Sequence, residues 1–270
     1  MRWGILGALL LVAAHRAAAG EEAAPGLARG GRVGWARLIT ESSSWSVHDR
    51  NDPVLATFIR SQTSLNIDPV CYPVDPHNLE ALCAYPFIFT NNLANVRNAT
   101  SLKNVREYLH RGGFIYADRC VNLSFSIPQE EFYDRHVAFF NRLLPTAEIR
   151  ELPADHEIYR CYFNVDRRKV HAINSYLGHN QLYGVFDGGR MVALFSNENL
   201  QCGWPQGDPL GQMQLIANIY VDSVRGFRAW PLPRAGGNIG TGDRAHLRFV
   251  GLVILTQQAG RSRSPMPISR

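Results

Sequence analysis

Few residues in this 270-residue chain combine a reactive type with a position at the end of a structural element, and Asp118, Cys120 and His156 are the foremost. Asp118 closes the apolar run Phe114-Ile115-Tyr116-Ala117, where a carboxylate is costly unless it is paired or working. Arg119 follows it as a candidate partner; the alternative role for Asp118 is to cap a neighbouring loop or helix. Cys120 stands just beyond the same run and, with His156 as base, has the makings of a nucleophile. A nucleophile elbow needs small residues around its strained turn, however, and here the sequence is Arg119-Cys120-Val121. A thiol held in the core or a loop is the competing reading. His156 follows Asp155 after a proline, an arrangement that suits a general base oriented by a carboxylate. The more usual job of such an Asp-His after a proline is to cap the next turn, Asp155 accepting hydrogen bonds from Glu157 to Tyr159.

Other chemistries find less support. His156, His171 and His179 are spread over loops without the i, i+4 spacing of a zinc hydrolase, so no metal is expected. Gly112-Gly113 precedes a strand and Gly188-Gly189 joins two strands, whereas phosphate cradles precede helices, so no nucleotide cofactor is expected either. The five cysteines, Cys71, Cys83, Cys120, Cys161 and Cys202, show no zinc-type spacing, and their odd number leaves at least one thiol free. Trp45 and Trp204 lie in polar loops, where an aromatic either stacks on a sugar or covers the edge of the core.

The elements that must position these groups alternate. Arg32 to Ile39 reads as a strand, and Asp52-Pro53 as the N-cap and first position of a helix carrying Val54, Leu55, Phe58 and Ile59. A short strand from Asp68 to Val74, broken by Pro73, a helical turn at Leu79 to Cys83 and a buried strand from Tyr85 to Thr90 come next. Ser101 opens a helix with Leu102, Val105 and Leu109 on one face, which Gly112-Gly113 ends. The strand Phe114 to Asp118 follows, then a helix from Pro128 to Pro145. Tyr183 to Phe186 and Met191 to Phe195 flank Asp187-Gly188-Gly189-Arg190, a hairpin signal, and Gln212 to Arg225 is the last helix. This order predicts a three-layer α/β fold, a mostly parallel sheet with helices on both faces and an antiparallel hairpin near the C-terminal part. Ligands of such sheets sit beyond the carboxyl ends of the strands, which makes Thr90, Asn91, Asp118, Arg119, Ser196 and Asn197 the candidate binding rim, with Cys120 beside them.

Charge and termini suggest an address. Met1-Arg2, the apolar stretch Trp3 to Ala14 and Ala17-Ala18-Ala19 form a signal peptide over residues 1–19, too short in its apolar part to span a membrane comfortably. Residues 20–32 read as a linker, 33–225 as the α/β domain and 226–270 as a basic, poorly ordered tail. From Gly226 onward seven arginines face one acid, Asp243, so that stretch carries +6 of the overall +5. An excess confined to a tail, without an aromatic-lined groove, argues against nucleic-acid binding. The expected localisation is exported, periplasmic or secreted, with no stable membrane span once the signal is cleaved. The sequence sets no oligomeric state.

Three stretches, Tyr85 to Phe89, Gly112 to Asp118 and Leu152 to Tyr159, together with Gly184 to Arg190, Ser196 to Asn199 and Ile216 to Tyr220, resemble one bacterial family, the domain-of-unknown-function family numbered 4159. The resemblance runs from about Val33 to Val224. It implies a class I glutamine amidotransferase-like, flavodoxin-like domain, in the company of von Willebrand-type and chaperone-like ATPase proteins of the cell envelope. Where members commonly carry a second acid and a His-containing loop, this chain has Arg119 and Thr90-Asn91-Asn92. The expectation is therefore an exported, non-catalytic module that binds a ligand or an envelope protein. The alternatives are a hydrolase of an envelope amide or glycan using Asp118 with His156 or Cys120, and an assembly factor whose basic tail docks on an anionic surface.

Overall fold

A computed structural model describes residues 32–120, 128–170, 182–197, 199–201, 204 and 211–226. The expected signal peptide, all of the linker but Arg32, the basic tail beyond Gly226, Cys202, His171 and His179 lie outside the described residues.

Among the described residues seven strands make one sheet: β1 (Arg32–Leu38), β2 (Asn66–Val74), β3 (Phe87–Thr90), β4 (Phe114–Asp118), β5 (Glu148–Glu151), β6 (Leu182–Asp187) and β7 (Arg190–Ser196). Their order across the sheet is β2-β1-β3-β4-β7-β6-β5. The pairs from β2 through β4 to β7 are parallel, and β7-β6-β5 are antiparallel. The helices are α1 (Asp52–Gln62), α2 (Leu79–Cys83), α3 (Ala99–His110), α4 (Gln129–Leu143), α5 (Arg167–Val170) and α6 (Gln212–Gly226). Among the described residues, no helix is long and apolar enough to cross a membrane.

Strand periodicity sorts the core into two layers. Trp35, Phe87, Phe89, Phe114 and Tyr116 face one side, with α1 and α6 packed over them. Ala36, Leu38, Ile88, Ile115 and Ala117 face the other, covered by α2, α3 and α4. The central strands β3 and β4 are buried along their whole length, as a parallel sheet covered on both faces requires. Trp35 sits within 7 Å of four rings, those of Phe87, Phe89, Trp204 and Tyr220. Trp204 is fully buried there, so the core takes it in whole.

The local devices are legible. Asn98 caps α3 by accepting from the amides of Thr100 and Ser101. Gly113 ends the turn after α3 because nothing larger fits: a Cβ there would lie 2.3 Å from the Tyr108 ring. That ring is anchored, its hydroxyl donating to the Tyr85 carbonyl at 2.9 Å. Gly188 and Gly189 both take positive φ, 58° and 81°, in the two-residue turn joining β6 to β7.

Three local expectations change. Asp52 does not cap α1; its carboxylate turns inward to a buried arginine, described below. Pro73 does not break β2, because β2 is an edge strand and a missing amide there forfeits no ladder bond. Glu148 to Glu151, too charged to read as a strand, pairs with β6 as the opposite edge, its polar side chains facing water.

Candidate functional site

The chain leaves β1 through α1 to β2 on one side, then crosses back to β3 on the other. This reversal opens the crevice where open α/β sheets take ligands, at the carboxyl ends of β1 and β3. Arg37, next to last in β1, is in register with Phe89, and Asn91 follows the last residue of β3.

Arg37 and Asp52 are both completely buried and meet as a two-pronged pair: Nε donates to Asp52 Oδ2 at 2.8 Å and Nη2 to Oδ1 at 2.5 Å. The other guanidinium nitrogen, Nη1, donates to the Trp45 carbonyl (2.9 Å), the Val47 carbonyl (3.2 Å) and Asn91 Oδ1 (2.7 Å). Its flat face lies over Phe89, 4.7 Å from the ring centre. Asp52 in turn accepts from Trp35 Nε1 (3.0 Å), the Cys71 thiol (3.1 Å) and Gln201 Nε2 (3.2 Å). Gln201 closes the circuit. Its side-chain oxygen accepts from Asn91 Nδ2 at 2.8 Å, and its backbone amide donates to Asp118 Oδ2 at 2.9 Å. Asp52, Arg37, Asn91, Gln201 and Asp118 thus tie together the ends of β1, β3 and β4, the start of α1 and the segment after β7. A buried ion pair survives only with its remaining donors and acceptors satisfied, and this one recruits backbone carbonyls, an indole, a thiol and two amides to do so.

Asp118 is fully buried, opposite Ser196 of β7. Its Oδ1 has no hydrogen-bond partner among the described residues. Burial pushes the carboxyl up to about 7, against the opposing pull of the Gln201 and Leu200 amides. Near neutrality it is therefore partly protonated, with the nearby Cys120 contributing a smaller upward push. Burial, and then the Asp52 carboxylate, also push the Cys71 thiol far above its usual range, which leaves it a hydrogen-bond donor and a poor nucleophile.

The other expected rim residues distribute unevenly. Thr90 is buried and its hydroxyl accepts from the Asn92 amide at 3.3 Å. The Arg119 amide donates to the Ser196 carbonyl at 2.9 Å and its guanidinium reaches the Asn197 carbonyl at 3.4 Å. Ser196 and Asn197 are buried, and Asn197 Oδ1 has no partner among the described residues. Cys120 is buried two residues beyond Asp118. His156 is elsewhere. Its loop leaves the far edge strand, where the Leu152 amide bonds the Leu182 carbonyl, and Leu182 pairs with Ser196. Three strand spacings, about 14 Å in all, separate that strand end from Asp118. The imidazole itself caps the next turn, Nδ1 accepting from the Ile158 amide at 3.2 Å, so His156 does the capping expected of Asp155. Burial lowers its pKa, with Arg150 adding to the effect. Its charged neighbours are Arg150, Asp155, Glu157 and Arg160, none of them a rim residue.

Arg37, Asp52 and Gln201 were not among the residues singled out from sequence. Arg37 carries one signal, a charge between Ala36 and Leu38 in an otherwise buried strand; Asp52 is masked by its cap-like place before Pro53. Gln201 carries no local signal.

Beside the network, a cleft of about 290 Å³ opens between the ends of β1 and β2, lined by Arg37, Trp45, Asp49, Arg50, Cys71 and Pro73. An aromatic wall, a thiol and charges of both signs suit recognition of a polar ligand. Among the described residues no group of three or more His, Cys, Asp or Glu side chains is placed to hold a metal ion.

A comparison with curated proteins finds no match. The model of one family, described as a domain of unknown function (DUF4159), matches residues 35–225, from the first strand through the last helix. With most of its length inside that match, the chain belongs to the DUF4159 family.

Proposed function

We propose that this chain is an exported binding module of the bacterial cell envelope, which holds a polar ligand or protein segment at the carboxyl rim of its sheet without turning it over. The observation that carries this reading is the closed network at the crevice. Arg37, Asp52, Asn91 and Gln201 are bonded to one another, and His156 bonds its own turn, leaving Cys120 without that imidazole as its base. Polar groups so tightly held make a rigid platform beside the cleft at Trp45 and Arg50, and preorganised surfaces lose little entropy on binding.

The test uses the mature chain and defined envelope fragments, muropeptides and short glycans, followed by calorimetry. Saturable binding that weakens in Trp45→Ala and Arg50→Glu, with the fragment recovered intact, is the expected result. Cleaved fragment, or binding indifferent to both substitutions, overturns the proposal.

A second reading has its own support. A buried carboxyl titrating near 7 is suited to donate a proton, so Asp118 would serve as the general acid of a hydrolase acting on an envelope amide or glycan. Loss of turnover in Asp118→Asn, with the fold retained, would favour it.

A further inference from the structure

A second cleft, of about 270 Å³, lies between α4 and the segment that follows β3, away from the network just described. Arg135, Ala138, Phe139 and Arg142 line one wall at spacings of three and four residues, so they form a single stripe on α4. Ala94 and Arg97 form the other wall. Phe139 is buried and supplies an apolar floor, whereas the three arginines are exposed around it.

The charge is concentrated and mostly unspent. Arg135 pairs with Glu131 one turn earlier on α4. Arg97 and Arg142 form no ion pair with the described residues. The carboxylate nearest Arg97 in the bonding pattern, Glu41, is occupied by the backbone amides of Arg97 and Asn98, which fixes that segment and leaves the guanidinium outside the bond. The last carbonyls of α4, those of Arg142 and Leu143, are satisfied by Arg106, so the Arg142 side chain is not needed to cap its own helix. It lies instead over Phe139, 6.0 Å from the ring centre. Three guanidiniums line the cleft and no carboxylate does; with Glu131 and Glu41 at its margins the local balance is still positive, at +1.

We propose that this cleft binds a small organic phosphate monoester. The dianion is drawn by the three arginines that line the cleft, and its three terminal oxygens suit the paired N–H forks of several arginines better than a single carboxylate does. The volume accommodates a phosphoryl group with a small ring or chain, too little for a helix or strand of a partner, and Phe139 with the two alanines receives the carbon portion. None of these residues belongs to the crevice network, so the proposal stands or falls separately from the rim reading.

The test is calorimetric titration of the full mature chain with phenyl phosphate, inorganic phosphate and benzoate, and with phosphatidate-containing vesicles as a fourth arm. Phenyl phosphate is expected to bind saturably and about tenfold tighter than inorganic phosphate or benzoate. Arg97→Ala and Arg142→Ala, both exposed substitutions that leave the core untouched, should each weaken it by about tenfold, as loss of one charge-assisted contact does. Arg97→Lys should recover only part of the loss, because the ammonium lacks the planar fork. Equal affinity for phenyl and inorganic phosphate, insensitivity to both alanine variants, or binding to the vesicles alone would overturn the proposal.

Discussion

Two buried groups in this fold titrate in opposite senses, and their opposition yields a sharp prediction. Asp118 is raised from 3.8 to about 7 by burial. Between those values the folded chain holds a proton that the unfolded chain has released, so stability falls as pH rises, by about 1.4 kcal/mol per pH unit and about 4 kcal/mol in all. His136 on α4 is also fully buried, its Nδ1 donating to the Phe132 carbonyl at 2.8 Å and its ring 5.4 Å from that of Phe195. Burial depresses it from 6.5 to about 4. Between those values the unfolded chain binds the proton and the folded chain does not, so stability rises with pH, by about 3 kcal/mol in all. From pH 4 to 6.5 the two slopes cancel. In the Asp118→Asn variant the cancellation ends, and urea midpoints converted to free energies should climb by about 3 kcal/mol between pH 4 and 6.5 relative to the wild-type profile. In His136→Leu they should instead fall across the same window, and the double variant should again run parallel to wild type there. The comparison reads differences between profiles, so groups that titrate alike in all four proteins drop out. Parallel profiles for wild type and Asp118→Asn would refute the reasoning.

Other predictions concern the network and the packing. Asp52→Ala leaves the Arg37 guanidinium buried without its counter-ion and should cost about 3–5 kcal/mol in urea unfolding, whereas Arg50→Ala at the exposed cleft edge should stay within about 0.5 kcal/mol; a loss below about 1 kcal/mol for Asp52→Ala would contradict the network's role. Gly113→Ala drives a methyl into the Tyr108 ring and should cost about 1–3 kcal/mol, measured the same way. Cys71 is half-buried, yet its neutral thiol should react with iodoacetamide at pH 8 at least about tenfold more slowly than an unperturbed cysteine. Reaction at the ordinary rate would contradict the account that burial and the Asp52 carboxylate hold the thiol neutral.

Much of the fold was legible because its signals are local. The alternation of apolar strands with capped helices, the Gly-Gly turn between β6 and β7 and the stripe of Leu102, Val105 and Leu109 each follow from a few neighbouring residues. Glu148 to Glu151 lacked such a signal, because an edge strand facing water needs few apolar residues and is defined by its partner β6. The candidate site divides in the same way. Asp118 stood out because a carboxylate ends an apolar strand, and Asn91 because it follows one. Arg37 and Asp52 are 15 residues apart and Gln201 is 149 from Asp52, so their union is a product of the strand order, which sequence patterns alone do not reveal. His156 shows the converse. It carried the residue type of a base, but the antiparallel pair β6 and β7 places its strand three positions from Asp118.

Whether the rim binds or reacts is tested most directly by isotope incorporation. The protein would be incubated with muropeptides and glycan oligomers in water enriched in oxygen-18, and the recovered fragments examined by mass spectrometry beside an Asp118→Asn control. The account predicts intact fragments with no heavy oxygen beyond the level of that control. Heavy oxygen in a newly formed carboxyl or reducing end, present with the wild-type chain and lost in Asp118→Asn, would contradict it.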